Sequence, residues 1–177
     1  MKPRSFSIIA ACACVCSSAL ALGNSDDKAA RERIDATYKS DIAACAKLAG
    51  NAKDVCVAEA LGKRNVARAE LDAAQHDSPR ARAKVTEEKA EATYKVAKER
   101  CDDMAGNAKD VCVADANAQY KRAKADAKAQ ERIVEARSDA RADARDAEYK
   151  AAKERCDSYA GEAKDRCVAD LKARYGK

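Results

Sequence analysis

The chain has 177 residues, with one Phe, no Trp, six Tyr and two Pro, and 37% of it is charged. Most of its 47% apolar fraction is alanine. Burial yields only about 25 cal/mol per Å² of apolar surface, so this composition excludes the Leu-, Val- and aromatic-rich core of an ordinary globular enzyme.

In chain order, the first 21 residues read as a secretory signal peptide. Lys2 and Arg4 give a basic start, and Ser7 to Leu22 carries no charge. Ala19-Leu20-Ala21 then offers small residues at the two positions a signal peptidase reads, which puts cleavage after Ala21. A second cut is available after Gly23. The uncharged run is shorter than the roughly 20 residues that span a bilayer, so no stable membrane span is expected after processing. The alternative is a lipoprotein anchored at Cys12, since Ile9-Ala10-Ala11-Cys12 loosely matches a lipobox. Without residues 1–21, 33 basic side chains face 30 acidic ones, with the signs interspersed. Cys12, Cys14 and Cys16 would leave with the leader, and the six remaining cysteines suggest disulfides in an exported chain. The expected address is the periplasm.

The rest of the chain repeats itself. Tyr38-Lys39, Cys45, Ala49-Gly50, Ala52-Lys53-Asp54 and Cys56-Val57-Ala58 return as Tyr94-Lys95, Cys101, Ala105-Gly106, Ala108-Lys109-Asp110 and Cys112-Val113-Ala114. They return again as Tyr149-Lys150, Cys156, Ala160-Gly161, Ala163-Lys164-Asp165 and Cys167-Val168-Ala169. The Tyr-to-Tyr steps are 56 and 55 residues. A period of this length points to serial helical units, here 22–78, 79–134 and a truncated 135–177.

Strong helix formers fill these units. Helices are predicted near 27–49, 52–75, 79–105, 108–159 and 163–175. Tyr94, Ala97, Cys101 and Met104 fall on one helix stripe, as do Tyr149, Ala152, Cys156 and Tyr159. Cys112, Ala116 and Tyr120, and Cys167, Leu171 and Tyr175, step by four on the following helices. Tyr38, Tyr94, Met104, Tyr120, Tyr149, Tyr159, Leu171 and Tyr175 are therefore the expected packing stripe. Gly50, Gly106 and Gly161 are expected to stop one helix at a turn. Asn51 and Asn107 then cap the next helix, with Asp54 and Asp110 in capping-box positions. Ser78 reads as an N-cap before Pro79 at the first helical position. From Asn107 to Ala160 there is no Gly or Pro, and Ser138-Asp139 is the one weak cap signal.

A turn at each Gly would set the two cysteines of a unit side by side. The expected bonds are Cys45–Cys56, Cys101–Cys112 and Cys156–Cys167. A continuous helix would hold each pair about 16 Å apart, too far for a bond that needs Cα atoms within roughly 7 Å. The expected fold is all-α: repeated disulfide-stapled helical hairpins, arranged as a loose antiparallel bundle or an extended rod.

No catalytic residue, metal site or cofactor is expected. His76 stands alone in a polar break, and C-x10-C fits no common zinc spacing. Cys101-Asp102-Asp103 reads as a solvated helix end. Between Tyr120 and Arg145 the basic residues are punctuated by Asp126, Glu131, Glu135, Asp139 and Asp143, with Asp146 just beyond. Many of these acids are expected to pair along the helix.

The alternating Ala, Lys, Asp and Glu of these helices resembles the central periplasmic segment of TolA, an envelope protein of Gram-negative bacteria. From Tyr38 to Lys177 the repeated unit also resembles a group of uncharacterised exported Ala/Lys-rich bacterial proteins, which implies a periplasmic address and no assigned activity. The expected role is non-enzymatic: structural or adaptor work in the cell envelope, through an envelope partner or self-association. Weak binding of an anionic polymer or nucleic acid is one alternative, and thiol redox or redox sensing another.

Overall fold

The computed structural model describes residues 23–177, and for residues 23–25 the backbone only. The proposed signal peptide, the Ala21 cleavage site and Cys12 lie outside the described residues. Five helices form in chain order: α1 (Gly23–Cys45), α2 (Gly50–Gln75), α3 (Pro79–Cys101), α4 (Gly106–Cys156) and α5 (Gly161–Tyr175). No strand occurs among the described residues.

Three disulfides join Cys45 to Cys56, Cys101 to Cys112 and Cys156 to Cys167, with Cα atoms 5.6, 5.7 and 5.7 Å apart. Each closes a hairpin of antiparallel helices. The helices stop earlier than their sequence suggested. Each first helix ends at its cysteine, three or four residues before the predicted ends at 49, 105 and 159. A chain held by a bond at that cysteine must reverse at once, and the Leu48, Met104 and Tyr159 amides donate back to the Cys45, Cys101 and Cys156 carbonyls. Gly50, Gly106 and Gly161 accordingly open the second helix of each hairpin. Each holds φ near +56°, at 54°, 58° and 56°, which a Cβ would strain. The extended residue before each is Ala49, Ala105 or Ala160, and no side chain caps these helices. Asn51, Asn107 and their capping boxes therefore do not form, because both asparagines lie one residue inside the helix.

The other break follows its sequence. The Ser78 hydroxyl accepts from the Ala81 amide at 3.0 Å, and Pro79 opens α3. His76 terminates α2 and is exposed.

Each helix packs only on its neighbours in the chain: α1 on α2, α2 on α3, α3 on α4 and α4 on α5. The architecture is an open, single layer rather than a closed bundle. Polar pairs tie its helices together. Arg31 binds Asp72 at 2.5 Å and Arg68 binds Asp35 at 2.5 Å across α1 and α2. Gln75 donates to Asp27, and this bond, followed by Arg31, holds the Asp27 carboxyl below its ordinary range. Glu70–Lys89 and Glu59–Arg100 bridge α2 and α3.

The buried set is small: Cys45, Cys101 and Cys156 with Ala60, Ala69, Ala83, Ala116 and Ala127. Alanines let helices approach closely, and Gly62 marks the tightest point, where a Cβ would meet the Ala92 Cβ at 2.7 Å. A buried glycine inside a helix costs about 1 kcal/mol in propensity; here it makes room for α3. α4 has 51 residues, about 76 Å at 1.5 Å per residue. Its first half lies on α3 and its last turns on α5. It runs unbroken across the 134/135 boundary expected between units, because Arg132-Ile133-Val134 stands where the earlier junction has the cap-forming His76-Asp77-Ser78.

Two outcomes follow. Gly62→Ala should lose about 1–3 kcal/mol through overpacking, although alanine is the better helix former, and urea unfolding measures this. Removing one bond by Cys101→Ser with Cys112→Ser should cost about 3 kcal/mol by the chain-entropy relation for a loop of this size. An unchanged unfolding midpoint in either variant would contradict the packing and the staple, respectively.

Candidate functional site

Two features dominate the surface: the stapled turns, and the stretch of α4 between its two packing partners.

At the turns, Cys45, Cys101 and Cys156 are 0–1% exposed, while Cys56, Cys112 and Cys167 are half-buried. The second cysteine of each bond is the more accessible one. Three such bonds form and persist in an oxidising compartment outside the cytosol. Asp102 and Asp157 follow the first cysteines of the second and third turns, and each pairs with a lysine of the next helix. Asp102–Lys109 and Asp157–Lys164 both lie at 2.8 Å. A carboxylate at a helix C-terminus and a lysine at an N-terminus each oppose the helix dipole, so their pairing neutralises two unfavourable charges. The first turn has Ala46 where the others have Asp.

Behind the second and third turns stands a ring pair. Tyr94 stacks on Tyr120 with centroids 5.1 Å apart, and Tyr149 meets Tyr175 edge-on at 5.8 Å. In the first hairpin Tyr38 lies under the Arg64 guanidinium at 4.3 Å. Arg64 precedes Tyr120 by 56 residues, and Tyr175 follows it by 55. One position therefore supplies the ring's partner each time. The sequence reading missed Arg64 because it sought only apolar partners; the spacing was the available signal. Leu171 is half-buried on α5. Met104 and Tyr159 leave the expected stripe. They sit in the turns, 47% and 55% exposed, because α3 and α4 have already ended at their cysteines. Leu48 occupies the same place in the first turn and is 43% exposed.

Between α2 and α3 runs an open groove of about 760 Å³, floored by Val66, Ala67, Ala92, Val96 and Ala97. The Glu59–Arg100 and Glu70–Lys89 pairs lie on its rim. Among the described residues no polar or charged side chain is buried, and no three His, Cys, Asp or Glu side chains converge in a cluster fit for a metal ion. Asp102 is engaged by Lys109 and leaves Cys101-Asp102-Asp103 a solvated helix end.

Every residue from 135 to 148 of α4 is exposed. The expected pairing along this helix does not occur. Among the described residues, Asp126, Glu131, Glu135, Asp139 and Asp143 form no ion pair, and Asp146 instead binds Lys177 at 2.6 Å beyond α5. For Asp139 and Asp143 the reason is register: Glu135, Asp139 and Asp143 are four apart, as are Arg137, Arg141 and Arg145, so neighbours four apart carry like charge. Asp126, Glu131 and Glu135, by contrast, have Arg122, Lys128 and Arg132 within three or four residues and still form no pair. Arg145 reaches the Tyr175 carbonyl at 3.5 Å.

Together these features define an all-α, disulfide-stapled layer of helical hairpins. No protein-family model, curated protein or solved structure matches the chain. Among the described residues no helix is long and apolar enough to cross a membrane.

The turn pairs titrate in a predictable direction. The hydrogen bond from Lys109 is the main cause that lowers Asp102 from its ordinary 3.8, and Lys164 does the same for Asp157. Each carboxylate thus contributes stability above the unfolded value near 3.8, and this is lost as pH falls through the lowered folded value. The lysines are raised from 10.5, so their contribution is whole below that value and is lost above it. Carboxyl NMR titration should place both aspartates below 3.8. Lys109→Ala should return Asp102, and not Asp157, towards it.

Proposed function

We propose that the protein is a non-enzymatic spacer or adaptor of the bacterial cell envelope. It works in the periplasm after cleavage of a signal peptide behind Ala21, through contacts made by helix faces with an envelope protein or with a second copy. The observation that carries this reading is the layer of stapled hairpins continuing into a bare helix, with no polar or charged residue buried as a whole among the described residues. Such a layer offers length and surface, and its polar side chains lie outward rather than around a reaction centre. The disulfides support an oxidising address, and the composition resembles the periplasmic helical segment of TolA. The serial hairpin units and the coiled-coil-like α4 belong to the same reading.

Fractionation of a Gram-negative cell expressing the full chain tests it. The reading predicts a chain released by osmotic shock that begins after Ala21. Amine-directed crosslinking in the intact cell is expected to join it to an envelope protein or to itself. A chain retained in the cytosol with reduced cysteines would contradict it, as would one that catalyses dithiol exchange after purification.

A further inference from the structure

The bare stretch of α4 has an ordered pattern. Glu135-Ala136-Arg137, Asp139-Ala140-Arg141 and Asp143-Ala144-Arg145 place an acid, an alanine and an arginine at a step of four. Four residues are slightly more than one helical turn. The acids therefore form one row and the arginines another, with the alanines between them. Like charges at this spacing repel, whereas a helix made only for solvent is served by opposite charges there. Among the described residues, Glu135, Arg137, Asp139, Arg141 and Asp143 have no ion-pair partner.

The strip between the rows extends beyond them. Ile133, Ala136, Ala140, Ala144, Ala147 and Ala151 follow at steps of 3, 4, 4, 3 and 4. This is an eleven-residue rhythm that keeps one face aligned along a nearly straight helix. Two of the large apolar side chains left exposed lie on this face: Ile133 at 44%, and Val111, two such periods earlier, at 50%. The face points away from the side of α4 that carries Ala116 and Ala127 against α3 and Tyr149 against α5.

The geometry points to a second copy of this chain as the occupant, laid parallel along α4. The argument is charge complementarity. In a parallel pair with a two-fold axis along the helices, the acidic row of each copy lies beside the arginine row of the other. In an antiparallel pair, acids face acids and arginines face arginines. The face is thus complementary to itself in one direction only. The alanines allow the close approach already seen within the chain where Gly62 meets Ala92. This inference deepens the proposed contact through helix faces and rests on that reading.

Sedimentation velocity and cysteine crosslinking of the disulfide-intact protein test it. The protein should form dimers at micromolar concentration and dissociate at about 1 M salt, where the screening length falls to about 3 Å. R137E/R141E should be monomeric, and so should D139R/D143R; both change only exposed side chains, and circular dichroism checks their helix content. Mixing the two variants should restore a dimer containing one of each. Ala140→Cys and Ala147→Cys should each crosslink to the same site in a second copy. A protein that stays monomeric at low salt would overturn the inference. So would crosslinking confined to mixtures of Ala136→Cys with Ala147→Cys, the antiparallel pattern. A monomer retained on an anionic polymer through Arg137 and Arg141 would assign the arginine row to that polymer and equally overturn self-pairing. None of these failures returns the chain to the cytosol, so they are distinct from failure of the periplasmic reading.

Discussion

The bond between two cysteines on either side of a four-residue turn is the constraint on which the rest depends. It ends the first helix at Cys45, Cys101 or Cys156 and brings the second helix alongside at a Cα separation of 5.6–5.7 Å. The left-handed Gly50, Gly106 and Gly161 then start the return. Little else could hold such hairpins shut. The buried residues beyond the cysteines are alanines, with Gly62 among them, and no residue of α5 is fully buried. Shortening the unfolded chain's freedom by three loop closures compensates for a core with little apolar area to remove from water.

What the staples do not stabilise is left to charge. At the far end of the first hairpin Asp27, Arg31, Asp72 and Gln75 close the mouth between α1 and α2, and Lys177 with Asp146 does so for the last. These groups are half-buried or exposed and screened by salt, so the open ends are held more loosely than the stapled ones. In the first and last hairpins the turn is thus the most firmly held part. The bare part of α4 has no staple, and only Arg145 and Asp146 at its end reach another segment; this is the stretch whose charges are arranged in rows.

The helical class, the three bonds and the Ser78-Pro79 start were legible because each rests on local chemistry: a spacing of eleven between cysteines, an N-cap hydroxyl, a fixed proline φ. The place of each helix end was not. Gly106 reads equally as the stop of one helix or the start of the next, and only the pull of Cys101 towards Cys112 decides between them. Met104 and Tyr159 were misplaced for the same reason, since a stripe drawn past the cysteine continues a helix that has ended. The partner of Tyr38 was hidden because Arg64 does by cation–π contact what Tyr120 does by stacking. The role of Gly62 depends on the path of α3, which no local pattern in α2 reveals. The acids of α4 were expected to pair because both signs are abundant; for Asp139 and Asp143 the step of four decides otherwise.

The central claim is that the disulfides, rather than the core, keep the first and last hairpins shut. Hydrogen exchange of the oxidised and the fully reduced protein, compared residue by residue, tests it most directly. The account predicts that reduction removes the protection of α5 altogether and strips that of α1. The α2–α3 pair, packed through Ala60, Gly62 and Ala92 without a staple between them, should retain the most. Protection of α5 that survives reduction would contradict the account and show that packing alone suffices.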